Sequence, residues 1–225
     1  YLQNVQLYDS RGTLLAQPPL TPQNLPMGSA SAGTYLNIPA DRQWIEAGDL
    51  QKTKIYVHAL KWSHGAFSGV DFQYFFFYPY NGKGFINIRF PSIPENDIEI
   101  PAGAHQGDWE SIIVRTDTNG NVIGIYCNQH GSGQWYLPGQ IQWQGGHPII
   151  YAARSGHPSF DSVGHFPTHG GDFTFSFFGL TVGVQLDNVT GRGHQLPTAD
   201  LAEMVATSYF DGTQVQEPWW LNYLG

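Results

Sequence analysis

Gly103-Ala104-His105-Gln106-Gly107-Asp108-Trp109-Glu110-Ser111-Ile112-Ile113-Val114-Arg115 begins as a glycine-flanked loop and passes into an apolar alternation. Period-two alternation is the signature of a half-buried strand. Side chains two apart on a strand share a face, so Asp108 and Glu110 point the same way and Ile112 and Val114 continue that face. Trp109, Ile113 and Arg115 take the other. Two carboxylates at a strand's mouth, with His105 three residues upstream, suit a hard cation or acid/base chemistry. The same letters also suit a surface turn whose Asp and Glu only bond neighbouring backbone.

The flanking sequence is rich in strand signals. Val70–Tyr78 is the most apolar run, and its continuous aromatics predict a central strand covered on both faces, ending in the turn Pro79-Tyr80-Asn81-Gly82. Lys54–Leu60 alternates cleanly. Asn119-Gly120-Asn121 predicts a tight hairpin that returns the chain along Val122–Asn128. His147–Ala153 and Phe173–Leu186 add further strands. Residues 1–50, punctuated by Pro18-Pro19, Pro22 and Pro26, read as an extended wrapping segment with little regular structure. One helix is expected over Ala199–Tyr209, capped by Thr198 and striped by Leu201, Met204, Val205 and Tyr209. The expected fold is mainly β: a single domain over residues 1–225, an antiparallel β-sandwich with long loops and one short C-terminal helix.

Composition narrows the function. The 225 residues carry a net charge of −8 with only 10 Lys and Arg, which disfavours a nucleic-acid partner and electrostatic adsorption to anionic lipid. Cys127 is the only cysteine, so there is neither an intrachain disulfide nor a cysteine metal site, and it reads as a small buried apolar residue. No apolar run reaches the roughly 18 residues of a membrane span. The sequence begins at Tyr1 without a signal-like segment, and the expectation is a processed chain or a piece of a longer one. Neither a nucleophile elbow nor a phosphate-binding glycine loop is present, so no nucleotide cofactor is expected.

Other residues qualify as ligands. His157, Asp161, His165 and His169 recur every four residues with Asp172 close behind, but Pro158, Gly164, Pro167 and Gly170-Gly171 exclude a helix, so a polar loop is expected. His130 and Trp135, in a glycine-rich turn, are candidates for holding a sugar by hydrogen bonding and stacking, although Trp135 can equally cover the sandwich end. Trp219, Trp220 and Tyr223 are expected to pack on the core, and His58 to be a satisfied strand histidine.

Several separated motifs occur together. Tyr74-Phe75-Phe76-Phe77-Tyr78-Pro79-Tyr80-Asn81-Gly82, Gly107-Asp108-Trp109-Glu110, Gln129-His130-Gly131-Ser132-Gly133-Gln134-Trp135, Ser155-Gly156-His157-Pro158-Ser159-Phe160 and Glu217-Pro218-Trp219-Trp220-Leu221-Asn222-Tyr223 follow one another. In that order they resemble the family labelled vacuolar protein sorting-associated, number sixty-two, which has plant members carrying a domain of unknown function. That family continues a few residues past the Trp-Leu-Asn-Tyr element. A more distant likeness adds chemistry. Ala104-His105-Gln106-Gly107-Asp108-Trp109-Glu110 is similar to the Gly-His-Arg-His-Asp-Trp-Glu heptapeptide of necrosis- and ethylene-inducing peptide-like toxins, departing from it at Ala104 and Gly107. The resemblance implies a divalent cation held by His105, Asp108 and Glu110, with Asp97 upstream and His157 as the later histidine. It also implies an actinoporin-like sandwich, secretion and sphingolipid head-group recognition.

Three functions follow as expectations. The first is a cation-dependent binding protein of toxin or effector type, using Mg²⁺, Ca²⁺ or Mn²⁺ to recognise a glycan or glycolipid head group outside the cell, with peripheral membrane contact and no membrane-spanning segment. The second is a hydrolase acting on polysaccharide, with Asp108, Glu110 and His105 as acid and base or as holders of a metal-activated water. The third is a non-catalytic scaffold or trafficking module. Oligomeric state is open.

Overall fold

The computed structural model describes residues 1–90, 93–100, 103–177, 180–197, 200–206, 218–221 and 223, and only the backbone of 87–90, 93–98, 100, 169–177, 180–187 and 206. Three strands open the chain, β1 Gln6–Tyr8, β2 Leu14–Ala16 and β3 Tyr35–Asn37. Next come β4 Ile55–His64, β5 Phe67–Asn81, β6 Gly84–Phe90, β7 Ile93–Ile100, β8 His105–Asp117, β9 Val122–Gln129 and β10 Ser132–Tyr136. Four short pieces, β11 Trp143–Gln144, β12 His147–Pro148, β13 Tyr151–Ala152 and β14 Ser159–Phe160, lead to β15 Gly164–Phe177, β16 Leu180–Thr190 and β17 Ala202–Ala206. The fold is mainly β, as the sequence predicts. A six-stranded sheet runs β10-β9-β8-β5-β4-β17, a four-stranded sheet runs β15-β16-β6-β7, and β2-β1-β3 forms a third.

The hairpin that anchors the large sheet is set by local chemistry. Asp117 Oδ1 accepts the Asn119 and Asn121 amides at 2.8 Å each, and Gly120 takes φ +82°, which an L side chain resists. This turn fixes the β8–β9 register, in which Ile112 pairs with Cys127 and Val114 with Ile125. Ile125 and Cys127 join Tyr136 and Ile141 in a buried cluster on which Val114 packs, with Cys127 buried as expected.

Several expectations are corrected. β5 is central, between β8 and β4, but it extends through Asn81 and its residues 72–80 are half-buried. Residues 1–50 are not merely extended. Their β1–β3 sheet and two short 3-10 turns enclose a core of Val5, Leu7, Leu20, Leu25, Ile38 and Ile45. Trp220 and Tyr223 pack against that core, as expected, while Trp219 stays 39% exposed. Of the helix expected over 199–209, residues Ala202–Ala206 instead form a strand that pairs in parallel with β4; residues 207–209 lie outside the described ones. A backbone partner for Ile55 and Val57 outweighs a helical spacing too short to stand alone. The loop expected across His165 and His169 is β15. An edge strand tolerates Pro167, since the missing amide need not face a neighbour, and the register shifts between Pro167 and Asp172. Among the described residues no helix is long and apolar enough to cross a membrane.

Candidate functional site

The β5–β8 register pairs Tyr78 with Asp108 and Phe76 with Glu110. Cross-strand partners share a face, so Tyr78, Asp108 and Glu110 form one patch above the Ile112–Cys127 core. Glu110 is 7% exposed, and among the described residues its Oε2 has no hydrogen-bond partner. Burial first, and the neighbouring Asp108 charge second, push its carboxyl up to about 8. Burial and the same two carboxylates push the Tyr78 phenol up to about 12.

His157 completes the patch. Its Nδ1 lies 3.0 Å from Asp108 Oδ2, and its ring stacks on Tyr78 with centroids 3.8 Å apart and planes 5° from parallel. A carboxylate only accepts, so a neutral His157 carries its proton on Nδ1 and keeps the Nε2 lone pair free of it.

The turn that delivers His157 is strained and pinned. Ser155 and His157 have φ of 72° and 55°, a left-handed conformation costly for residues with side chains. Backbone bonds hold it: Gly82 N donates to Ser155 O at 2.8 Å, Ala153 N to Pro158 O at 2.8 Å, and Arg154 N to Val189 O at 2.8 Å. Gly82 allows this close approach: a Cβ there would lie 2.9 Å from Ser155 Oγ and 3.0 Å from Ser155 Cβ. His130, itself at φ 42°, leans on this turn; a Cβ on Gly156 would sit 3.3 Å from its Cε1. His130 Nε2 is 3.0 Å from Asn188 Oδ1, while Asn188 Nδ2 donates to Thr168 Oγ1 at 2.9 Å and to Phe166 O at 3.3 Å. Those acceptors orient the amide so that His130 donates from Nε2.

The remaining candidates distribute differently. His105 is exposed and its Nδ1 faces the Gly107 carbonyl at 3.1 Å. Asp97 lies in β7 opposite Asn87, and its side chain is outside the described residues, as are those of His169 and Asp172. Trp135 is not beside His130. It pairs with Tyr126 on the face opposite Glu110, where the Arg115 guanidinium sits 4.5 Å from both the Trp135 and Trp62 rings. Arg115 also binds Asp71 through two bonds of 2.8 and 2.7 Å. Among the described residues no three His, Cys, Asp or Glu side chains close into a ready-made metal cage. Tyr78, Asn188 and the left-handed backbone of Ser155 and His157 are not singled out as site elements from sequence, although Tyr78 and the 155–157 turn lie in the motifs quoted above and glycines stand at 82 and 156.

Fold and patch together define a mainly β protein with a buried carboxyl beside a half-buried one and an oriented histidine at one sheet end. Within that class the chain belongs to the family described as Vacuolar protein sorting-associated protein 62, which matches residues 4–225. No curated protein matches the sequence. Among solved structures, one described as a toxin fold for microbial attack and plant defense is 16% identical over 69% of this chain and 53% of its own, with TM-score 0.34. NLPPya in complex with glucosamine is 15% identical over 69% and 52%, with TM-score 0.33. Necrosis and Ethylene inducing Protein 2, from the causal agent of cocoa's Witches Broom disease, is 19% identical over 72% and 61%, with TM-score 0.32. This chain spans about half the length of the first two.

Proposed function

We propose that the chain is a binding protein that recognises a glycan or glycolipid head group through a divalent cation, Mg²⁺, Ca²⁺ or Mn²⁺, at the Asp108–Glu110–His157 patch. The observation that carries the reading is the Glu110 carboxyl, which is buried, finds no partner for Oε2 among the described residues and stands beside a second carboxylate. Such an arrangement is costly unless a proton or a cation neutralises it. The donor types fit a hard or borderline cation: a carboxylate oxygen from Glu110 and the Nε2 lone pair of His157, with Asp108, whose Oδ2 faces His157 Nδ1, as the outer partner that adds negative charge. When bound, the cation supplies an electropositive centre for ligand hydroxyls. Asp108 holds the His157 tautomer, Tyr78 holds the ring plane, and the 155–157 backbone fixes the approach. Asp97 and His105 are further donors in this proposal, and His130 borders it. Secretion and peripheral membrane contact accompany the reading.

A second reading, a hydrolase acting on polysaccharide, is favoured by one feature. A carboxyl titrating near 8 beside another carboxylate is suited to general-acid work at neutral pH. Glycan-array binding in Ca²⁺ and in EDTA, run beside a polysaccharide-digestion screen, separates the two. Cation-dependent binding without digestion supports the first, digestion indifferent to EDTA supports the second, and neither activity leaves the scaffold function.

A further inference from the structure

Beyond the carboxylate patch, a groove of about 600 Å³ opens between β10 and the segment 160–168, the edges of the two large sheets. Gln134 pairs with Cys127 and Tyr136 with Ile125, so both point to the core side of the hairpin, and Gln129 lies two residues along from Cys127. Across from them, Phe160 stacks on Phe166 with centroids 4.0 Å apart. The polar groups are held in place before any ligand arrives. Ser162 Oγ donates to Asp161 Oδ1 at 3.4 Å, Gln129 Nε2 donates to Ser159 O at 3.3 Å, and the Tyr136 phenol is a near neighbour of both Asp161 and Gln129. Gln140 spends its Oε1 on the Leu137 amide at 2.7 Å, leaving its NH₂ hydrogens for a ligand.

Among the described residues no Lys or Arg lines the groove. Phosphate or carboxylate recognition therefore has no counter-charge there, and Asp161 would repel it. Side-chain amides, a carboxylate that accepts two hydroxyls at once, a phenol and a phenyl pair match a ring with neighbouring hydroxyls and an apolar C–H face. Asp161 follows His157 by four residues on one connecting segment, which ties the groove to the cation patch. We propose that this groove is a subsite for a neutral saccharide, extending the glycan reading above and resting on it for its ligand class.

The test uses the full chain with the methyl glycosides of glucose, galactose, mannose and N-acetylglucosamine, measured by saturation-transfer NMR and calorimetry in Ca²⁺ and in EDTA. At least one glycoside is expected to bind, and Asp161→Asn to weaken it about tenfold or more, the loss of one charged acceptor. Gln134→Ala is expected to weaken it several-fold, and since Gln134 is exposed its truncation leaves the fold intact. Unchanged affinity in both variants, or no binding by any glycoside, overturns the groove. The EDTA arm reports separately on the cation: binding indifferent to EDTA but lost in the variants supports the groove and removes the cation. Binding lost in EDTA but indifferent to the variants overturns the groove alone.

Discussion

His157 Nδ1 stands 3.0 Å from Asp108 Oδ2 across 49 residues of sequence, both side chains less than a fifth exposed. This pairing converts a flexible histidine into a fixed donor with its Nε2 lone pair aimed away from Asp108. An outer partner of this kind orients a ligating or proton-accepting imidazole and is commonly worth 10–100-fold in metal affinity, so Asp108→Asn is expected to lower divalent-cation affinity by about that factor and His157→Ala, which removes the imidazole itself, by at least as much. Calorimetric titration with Mn²⁺ checks it, and an unchanged Kd removes His157 from the site.

Glu110 gives a pH signature. Its carboxyl titrates near 8 in the fold, above the ordinary carboxylate value, so the folded chain holds more protons than the unfolded chain across that interval. Stability in EDTA therefore falls as pH rises from about 4.5 toward 8. Glu110→Gln removes the proton from the balance, flattens the slope and raises stability at pH 8 by about 1–3 kcal/mol, the cost of an uncompensated buried charge. Melting curves at pH 5 and pH 8 decide; a wild-type Tm that rises with pH contradicts the site's electrostatics.

On the opposite face, Arg115 is clamped between Trp62 and Trp135 and bonded twice to Asp71. Removing Asp71 leaves a half-buried guanidinium between two rings without its counter-charge. Asp71→Ala is expected to cost about 3 kcal/mol and Trp135→Ala about 1 kcal/mol, in urea titration. Glycan binding at the Glu110 face should survive Trp135→Ala, because the two faces are separated by the sheet.

What the sequence disclosed and withheld follows from range. Period two along Asp108–Val114 places both carboxylates on one face, and Asn119-Gly120 places the hairpin, because strands and turns are set within a few residues. The partner of Trp135 is Arg115, twenty residues away on another strand, and no local pattern names it. Residues 202–206 carry a helical spacing, yet the parallel partner β4 lies some 150 residues earlier and decides their state. The positive φ at Ser155 and His157 likewise comes from backbone bonds to Gly82 and Val189, not from their own preferences.

Residues 1–50 supply a structural test. Leu7 is 1% exposed and Leu20 fully buried in a core that also receives Trp220 and Tyr223. Leu7→Ala is expected to cost 2–5 kcal/mol, the usual range for a buried leucine. A loss below about 1 kcal/mol in denaturant would mean that this segment folds independently of the sheet that carries Glu110.

Metal removal tests the central proposal. Glu110 and Asp108 crowd two carboxyls into a patch where Glu110 Oε2 has no partner among the described residues. Near neutrality either a proton or a cation must occupy the gap, and a cation that binds only the folded chain raises stability by mass action. At a hundredfold excess over Kd that gain is about 2.7 kcal/mol, enough to move Tm by several degrees. Because the cation displaces the Glu110 proton, the gain grows as pH rises toward 8, opposite in sign to the metal-free slope. Glu110→Gln is expected to abolish the cation's gain while keeping the fold, so the variant's Tm no longer depends on Ca²⁺, Mg²⁺ or Mn²⁺. Should wild-type Tm be the same in EDTA and in each cation at pH 7.5, and elemental analysis find less than one equivalent of metal, a proton fills the gap. Glu110 then stands as a general acid, and the hydrolase reading takes precedence.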